Sequence, residues 1–482
     1  MSTVRVRPTT LARRARTISA TPASATPPTP PTATPPARAA HRPSRRDDIL
    51  RAGVRVFAST GYNDATVADI AREAGVSPRA VYYHFATKES LLVEATQPVA
   101  DVLVAIVRRT MTAYHPRDWR LATATMLAEI FAWADEHADE ATLYYVWSRL
   151  GLPAVAAIRD QVLATCIELG TPPASRSRPR AGPGRYAQEL ARVVAVDTAD
   201  DVMSALFAGD TFDPIISRDD VARALADNNG SLISQRCDDL AATALRARSR
   251  ELVADPRAQQ VHENAVPGTD VPARGAHRPS RRQDLIDAAA AEFAVRGVAD
   301  TTVAHVTDRA GMAPNAVYYH YASKHRLFLD VLDDVSRQVA DVIVPSAAVA
   351  DDARPAKGAD LLAAWDRFSR WAERFPDRAR IHLTASAAIS VESERVRRAA
   401  QLAVVERTKA WMRLGVESST TDIDAHVGAI ALGDLFRRAS AIVLLDGGRS
   451  AALDAAVVDV GLRILIGAHC DDAADGSTPP AA

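Results

Sequence analysis

Apolar positions between residues 66 and 88 recur at helical spacing and predict two short helices joined by a sharp turn. Thr66 is placed to cap the first of these helices, and Gly75 at its end supplies the positive φ that a sharp turn requires. The inward stripe of this helix consists of Val67, Ile70, Ala71 and Ala74. The helix is therefore amphipathic and needs a neighbour to cover its apolar side.

The second of the two helices carries different chemistry on its two faces. Ser77 caps it, and Pro78 occupies the first helical position, where a missing N–H costs nothing. Val81 and Phe85 lie four residues apart on the inward face. The outward face is shared by Arg79, Tyr82 and Tyr83. Because a guanidinium and two phenols suit base edges and phosphates, the segment is predicted to be a helix-turn-helix whose second helix reads DNA.

The same stretch occurs a second time at a constant offset of 236 residues, which is 277 − 41. His277 begins a repeat of His-Arg-Pro-Ser-Arg-Arg, and the segment from Thr302 to Lys324 repeats the helix-turn-helix, with roughly half of the positions identical. In front of the first copy, apolar residues from Arg45 to about Ser59 predict a further helix that ends near Gly61. The chain therefore carries two copies of a three-helix module.

The rest of the chain is helical in pattern, and its two most apolar helices are predicted at Ile423 to Leu445 and Ala451 to Ile466. Small residues within these two helices permit close contact with other helices. Asp213-Pro214 and Asn228-Asn229-Gly230 are expected to break their counterparts in the first half, and residues 171–184 are expected to form a loop. The predicted parts are a disordered basic arm at 1–40, a helix-turn-helix domain at 41–94, a helical domain at 95–250, a linker at 251–276, a second helix-turn-helix domain at 277–330, a second helical domain at 331–470 and a tail at 471–482.

Composition narrows the function classes. Of the 482 residues 48 % are hydrophobic, enough for a core in each domain, and the formal net charge of −1 leaves any DNA affinity to local basic patches. The three cysteines lie far apart without metal-ligand spacing, which favours a reducing cytoplasm, and no stretch approaches the length of a membrane span. No cofactor, metal or catalytic motif occurs, which argues against an enzyme.

Local positive charge does occur beside the predicted reading helix. Arg42, Arg45 and Arg46 lie at the start of the first helix, and Lys88 lies at the start of the helix that follows the helix-turn-helix. These positions place positive charge at both edges of the reading helix, where duplex phosphates run.

Residues 41–94 resemble the DNA-binding domain of the TetR (tetracycline-repressor-like) family of bacterial regulators. The resemblance rests on the segments Thr66, Ile70-Ala71, Ala74 to Ser77, Val81 to Phe85 and Lys88 to Leu91. It implies an all-α protein of two tandem TetR-like units, each a three-helix head followed by a helical ligand-binding and dimerisation domain. It also implies that His84 and Lys88 contact phosphates. The candidate DNA-binding residues are Arg45, Arg46, Thr66, Ser77, Arg79, Tyr82, Tyr83, His84 and Lys88 in the first head, and Arg281, Arg282, Thr302, Asn315, Tyr318, Tyr319, His320 and Lys324 in the second.

The second head departs from the pattern of the first. Ala313 replaces Ser77, Thr307 replaces Ala71, Arg309 replaces Glu73 and Asn315 replaces Arg79. Loss of the cap costs about 1 kcal/mol and weakens the start of the helix. Since Arg pairs best with guanine and Asn with adenine, the two heads are predicted to read different bases. A second head that folds but does not bind DNA is the alternative.

All six tryptophans lie in the helical domains and none in the heads. An aromatic residue at helical spacing is more often part of a core than of a pocket, yet the family resemblance implies a cavity for an unknown small-molecule effector. The candidate pocket residues are Trp133, Tyr144, Trp147, Trp371 and Trp411.

The sequence thus predicts a cytoplasmic, ligand-responsive transcriptional regulator, expected to be a repressor, with two operator-reading heads in one chain and no membrane partner or cofactor. The two halves are predicted to pair as a pseudo-dimer within the chain, because the tether gives them a high effective concentration. Pairing of two chains through their more apolar second halves is one alternative. A helical ligand-sensing or scaffold protein, in which one or both heads do not bind DNA, is another.

Overall fold

Helices make up every element of the described structure, a computed structural model, in agreement with the all-α prediction. The described residues are 45–114, 118–149, 152–170, 183–208, 217–233, 281–313, 315–344, 358–384, 391–413, 422–445 and 449–467. The predicted arm, the linker, the tail and all but the last two residues of the predicted loop at 171–184 lie outside these ranges.

The first head consists of α1 (Arg45–Thr60), α2 (Val67–Glu73) and α3 (Pro78–His84). Thr66 caps α2 as predicted, since its hydroxyl accepts from the Asp69 N–H at 3.1 Å while the Asp69 carboxylate accepts from the Thr66 N–H at 3.2 Å. Gly75 has a φ of 65°, and Ser77 caps α3. Local capping chemistry therefore sets the angle between α2 and α3.

The first helical domain follows directly. Its elements are α4 (Lys88–Ala113), α5 (Trp119–Glu136), α6 (Ala138–Thr142), a π-helical turn (Leu143–Trp147), α7 (Pro153–Leu169), α8 (Pro183–Ala208) and α9 (Arg218–Ile233). The predicted break at Asn228-Asn229-Gly230 is wrong, because α9 continues through it. Arg120 of α5 packs against α9 at this point. A Cβ on Gly230 would lie 2.8 Å from the Arg120 Cγ, and the Arg120 guanidinium pairs with Asp227. Gly230 thus leaves room for the Arg120 side chain within a continuous helix and does not form a turn.

The second half repeats the plan. Its helices are α10 (Arg281–Asp300), α11 (Val303–Ala310), α12 (Asn315–His320), α13 (Lys324–Ile343), α14 (Gly358–Arg374), α15 (Pro376–Thr384), α16 (Val391–Arg413), α17 (Asp422–Leu445) and α18 (Ala451–Gly467). Gly297, with a φ of 75°, interrupts α10 at the position that corresponds to Gly61, so the first helix of this head also ends there. Thr302 caps α11, and His305 completes the capping box in place of Asp69.

Among the described residues, α4 is long and apolar enough to cross a membrane by length and composition alone, contrary to the expectation that no stretch would come close. Half of its apolar window is buried in the protein. The helix packs against α1, α5 and α7, so its apolar stripe has partners inside the fold.

The two halves meet through four helices, α8 and α9 from the first and α17 and α18 from the second. The Arg438 guanidinium donates to the Asp197 carboxylate, with 2.7 Å between Nη2 and Oδ1. Arg463 donates to the Leu232 carbonyl at 3.4 Å. The apolar helices predicted at the end of the chain are therefore buried against the first half of the same chain.

Candidate nucleic-acid interface and effector cavity

Helix α3 of the first head carries buried apolar residues on one face and exposed tyrosines on the other, as its sequence pattern predicts. Val81 and Phe85 are each 2 % exposed and anchor α3 to the head. On the opposite face, Tyr82 is 55 % and Tyr83 is 85 % exposed, and Arg79 is exposed beside them. Large aromatic side chains rarely remain in water without a reason, so this face has the character of a binding surface.

The second head presents the same surface with one substitution. Tyr318 is 61 % and Tyr319 is 85 % exposed, and Asn315 is exposed where the first head has Arg79. Tyr321, at the position of Phe85, is buried at 3 % exposure. Both heads therefore display a pair of tyrosines, and they differ in the hydrogen-bonding group beside that pair.

Of the arginines predicted to contact DNA at the start of each head, one is paired within the protein, and the one before it is exposed. Arg46 pairs with Glu94 and lies 5.0 Å from the centre of the Phe85 ring, and Arg282 pairs with Asp330 and lies 5.8 Å from the Tyr321 ring. Their charge is thus partly satisfied within the protein. Arg45 and Arg281 lie one residue earlier in the two copies and are exposed. They are therefore better placed than Arg46 and Arg282 to contact phosphates.

The Lys88 ammonium lies against the head, which differs from the expected phosphate contact. Its Nζ donates to the Tyr62 carbonyl at 2.6 Å and to the Ala65 carbonyl at 2.9 Å, and it lies 4.3 Å from the centre of the Tyr62 ring. Burial lowers the pKa of this ammonium below its usual value. In the second head the Lys324 Nζ makes the equivalent bonds to the carbonyls of Val298 and Thr301. Each lysine therefore holds the loop between the first two helices of its head.

Replacement of Lys88 by methionine is expected to lower the free energy of unfolding by about 1–3 kcal/mol, because two loop carbonyls lose their charged donor. Urea unfolding measures this loss, and Lys324→Met is the matched variant in the second head. A phosphate contact predicts something else: a salt dependence of DNA binding flatter by about one unit of slope with unchanged stability. That result would restore the original expectation for Lys88.

The departures in the second head have structural compensation. In the first head, Arg55 of α1 donates to Glu73 of α2 at 2.7 Å. In the second, the signs are exchanged, since Glu292 of α10 accepts from Arg309 of α11 at 2.7 Å. Thr307, which replaces a packed alanine, is buried and donates its hydroxyl to the Val303 carbonyl at 3.2 Å within its own helix. The second head is thus a complete packing unit with its own ion pairs.

The first helical domain contains a cavity of about 100 Å³ between α4, α5, the π-helical turn, α7, α8 and α9. Most of its lining is apolar, with Leu103, Val107, Met126, Leu127, Ile130, Val162 and Met203 among the residues. Tyr144, one of the residues proposed for a ligand pocket, belongs to the lining. Its neighbour Tyr145, together with Cys166, Asp200 and Asn229, was not predicted.

The four tryptophans predicted for the pocket lie elsewhere. Trp133 stacks on His137, with ring centres 5.3 Å apart, and Trp371 donates to Gln338 at 3.1 Å in the core of the second half. Trp411 is buried in that same core. Trp147 donates to the Ala58 carbonyl of α1 at 3.0 Å and so joins the helical domain to the head. These indoles pack between helices.

A buried charge cluster borders the cavity, and sequence reasoning missed it. Arg149 donates to Asp200 at 2.6 Å and also pairs with Asp201, while Arg159 pairs with Asp200. The signal available in the sequence was the charged run Asp197 to Asp201 within an otherwise apolar segment. Its meaning was hidden because the partner Arg149 lies 51 residues away along the chain.

Comparison with known proteins gives matches at both heads. Residues 49–95 and 285–331 match the family model described as "Bacterial regulatory proteins, tetR family". The HTH-type transcriptional repressor KstR2 of Mycobacterium tuberculosis is 41 % identical over 69 residues, which are 13 % of this chain and 34 % of that protein. The HTH-type transcriptional activator FasR of Mycolicibacterium smegmatis is 36 % identical over 83 residues, 17 % of this chain and 38 % of that protein. The chain thus spans about a third of the length of these curated relatives.

Solved structures give weaker similarity over longer stretches. A tetR-family transcriptional regulator from Streptomyces coelicolor aligns with 44 % of this chain and 89 % of its own, at 20 % identity and a TM-score of 0.32. The relatives are transcriptional repressors and activators, which are not enzymes.

Proposed function

Since the chain is a tandem TetR-like protein with two helix-turn-helix domains of the TetR type, we propose that it is a DNA-binding transcriptional regulator that reads one operator with both heads and releases or retains it in response to a small molecule. The observation that carries this proposal is the repeated display of an exposed tyrosine pair on α3 and α12. Because the groups beside the pairs differ, the two heads read different half-sites.

Pairing of the two halves within one chain is supported by the charges on the contact helices. Asp197, Asp200 and Asp201 of α8 correspond, at an offset of 237 (434 − 197), to Asp434, Arg437 and Arg438 of α17. Arg437 lies 3.6 Å from Asp197 and 3.7 Å from Asp201 across the contact. Two first halves would bring aspartates together here, and two second halves would bring arginines together. The unlike halves are therefore the favoured pair.

The π-helical turn supplies a route from the cavity to the DNA-reading surface. Tyr144 and Tyr145 of this turn line the cavity, and Trp147 of the same turn bonds to Ala58 at the end of α1. Trp147 also packs closely on the backbone at Gly61, where an added Cβ would lie 3.0 Å from the Trp147 ring. An effector that displaces Tyr144 or Tyr145 therefore also moves Trp147, whose hydrogen bond to Ala58 supports the first head. Turns of π-helix are frequent at functional sites.

Selection of bound sequences from random DNA tests the proposal. The expected product is a site of two unlike half-sites whose centres lie about 34 Å apart, or a multiple of that distance. A symmetric inverted repeat would exclude simultaneous base reading by both heads. Recovery of no preferred sequence would favour the alternative in which the heads serve only as packing modules. The control is the Arg79→Asn variant, which is expected to make the two half-sites more alike.

A further inference from the structure

The polar residues that line the cavity in the first half offer acceptor atoms to a ligand. Asp200 is the one charged residue among the described lining residues. The Arg149 and Arg159 guanidiniums both approach its Oδ2, which leaves its Oδ1 able to accept from a ligand. The Asn229 Oδ1 is buried and has no hydrogen-bond partner among the described residues. Because buried acceptors are rarely left unmatched in native structures, these oxygens favour a ligand that brings a hydrogen-bond donor.

The Tyr144 hydroxyl adds a group that can both donate and accept. It belongs to a lining residue, is buried and has no hydrogen-bond partner among the described residues. Burial raises the pKa of Tyr144, and the guanidiniums of Arg159 and Arg149 partly offset this rise. Since the same two guanidiniums hold Asp200, the Tyr144 hydroxyl lies at the Asp200 end of the cavity. A ligand hydroxyl at this end can therefore donate to Asp200 and accept from Tyr144.

The charges around this end favour a neutral ligand. Arg149 and Arg159 are matched by Asp200 and Asp201, so the formal charge of these four residues sums to zero. Cys166, which also lines the cavity, is a neutral thiol because burial raises its pKa to about 12. An anion would meet the Asp200 carboxylate, and a cation would add to two guanidiniums that already neutralise that carboxylate. Either ion would lose its hydration without gaining an unmatched partner of opposite charge.

The size of the cavity and its apolar lining describe the rest of the ligand. A single water needs roughly 10–15 Å³ of such space, so a cavity of about 100 Å³ takes about seven to ten water-sized groups. Away from Tyr144, Asp200 and Asn229 the lining is mostly apolar. The matching molecule therefore has an apolar body about the size of one ring and a single neutral polar group.

We propose that the cavity of the first half binds a small neutral alcohol or phenol of about eight non-hydrogen atoms. The ligand hydroxyl donates to the Asp200 Oδ1 and accepts from the Tyr144 hydroxyl, and the apolar body lies between α5 and α8. Asn229 offers a second acceptor beside them. A neutral O–H group that donates to a carboxylate forms a charge-assisted hydrogen bond without adding charge to the site. The inference rests on the proposed function and deepens it, since it gives the chemical class of the effector.

Isothermal titration of the full chain without DNA measures this binding directly. The probe is benzyl alcohol, and anisole, its isomer without a hydrogen-bond donor, is the matched control. Benzoate and benzylamine keep the ring and carry a negative and a positive charge.

The expected order of affinity follows from the polar groups of the cavity. Benzyl alcohol is expected to bind at least tenfold more tightly than anisole, because only the alcohol donates to the carboxylate. Benzoate and benzylamine are each expected to bind at least tenfold more weakly than the alcohol, because the site has no unmatched charge to offer them. This order is measured on the parent chain and so does not depend on the folding of any variant.

Two variants locate the site. Tyr144→Phe retains the ring and removes the hydroxyl, and it is expected to weaken binding of benzyl alcohol about three- to tenfold. Ala199→Phe places a ring in the cavity and is expected to abolish binding. The second half already accommodates a buried phenylalanine, Phe436, at the corresponding position (436 − 199 = 237). Val193→Phe on the same helix, outside the cavity lining, is the matched control and is expected to bind the alcohol like the parent. Circular dichroism shows whether each variant retains the fold.

Three results would overturn the inference: anisole, benzoate or benzylamine binding as tightly as benzyl alcohol, unchanged binding of the alcohol in either cavity variant, or no binding of the alcohol at millimolar concentration. Failure of the proposed function is recognised separately. A chain that binds its selected DNA but not the alcohol refutes only the effector chemistry, whereas a chain that binds the alcohol but prefers no DNA sequence refutes only the regulator.

Discussion

Removal of the exposed tyrosine pair from either head is expected to weaken operator binding about a hundredfold. Each variant, Tyr82→Ala/Tyr83→Ala in the first head and Tyr318→Ala/Tyr319→Ala in the second, loses about 3 kcal/mol of contact with DNA. All four side chains are more than half exposed, so the fold is expected to survive. Gel retardation with the selected operator measures the change in affinity.

The comparison between the two heads is the informative part of this experiment. Equal losses of affinity mean that both heads are bound at once. Because one chain carries both heads, their contributions to the binding constant then multiply rather than add. If only the first pair matters, the second head is silent. Leu121→Ala removes another exposed apolar side chain, 57 % exposed on α5, and is expected to leave affinity unchanged. Unchanged affinity in both tyrosine variants would refute DNA reading by α3 and α12.

Exchange of the charges at Asp197 and Arg438 is expected to show which halves pair. Asp197→Arg places a guanidinium beside Arg437 and Arg438, and Arg438→Asp places a carboxylate beside Asp197. Because Asp197 is only 4 % exposed, either single variant is expected to lose about 3 kcal/mol of stability. The double variant restores opposite charges and is expected to recover part of that loss. Thermal unfolding of the four proteins completes the double-mutant cycle.

Mass measurement by light scattering accompanies this cycle. The parent chain is expected to have its monomer mass of 51.6 kDa at micromolar concentration, because its unlike halves satisfy each other. A parent particle of twice that mass, together with single variants as stable as the parent, would show that the contact between α8 and α17 does not hold the halves together.

The heads could be predicted closely because their structure is encoded locally. A capping threonine, a glycine with positive φ and a serine before proline define α2 and α3 within some twenty residues, and each of these acts on its immediate neighbours. Lys88 shows where this reasoning ends. Its position was predicted, but its ammonium turns to carbonyls 23 and 26 residues earlier in the chain. A one-dimensional pattern does not show whether a cation will find acceptors inside the fold.

The cavity could be predicted only in part, for a related reason. Tyr144 and the tryptophans have the same apolar character in the sequence, and which of them lines a void depends on how six helical segments meet. Asn228-Asn229-Gly230 was interpreted as a break because these residues favour turns, yet packing against Arg120 keeps them helical. Tertiary contacts here outweigh a local preference of about 1 kcal/mol.

The cavity in the first half has a consequence for the shape of the dose response. A symmetric dimer has two equivalent effector sites, so occupation of one can raise the affinity of the other. If this cavity is the one effector site of a chain, its occupancy follows a simple hyperbola with a Hill coefficient of one. The tether also removes any dependence of that curve on protein concentration. Such a regulator reports the concentration of its effector in proportion, rather than as a threshold.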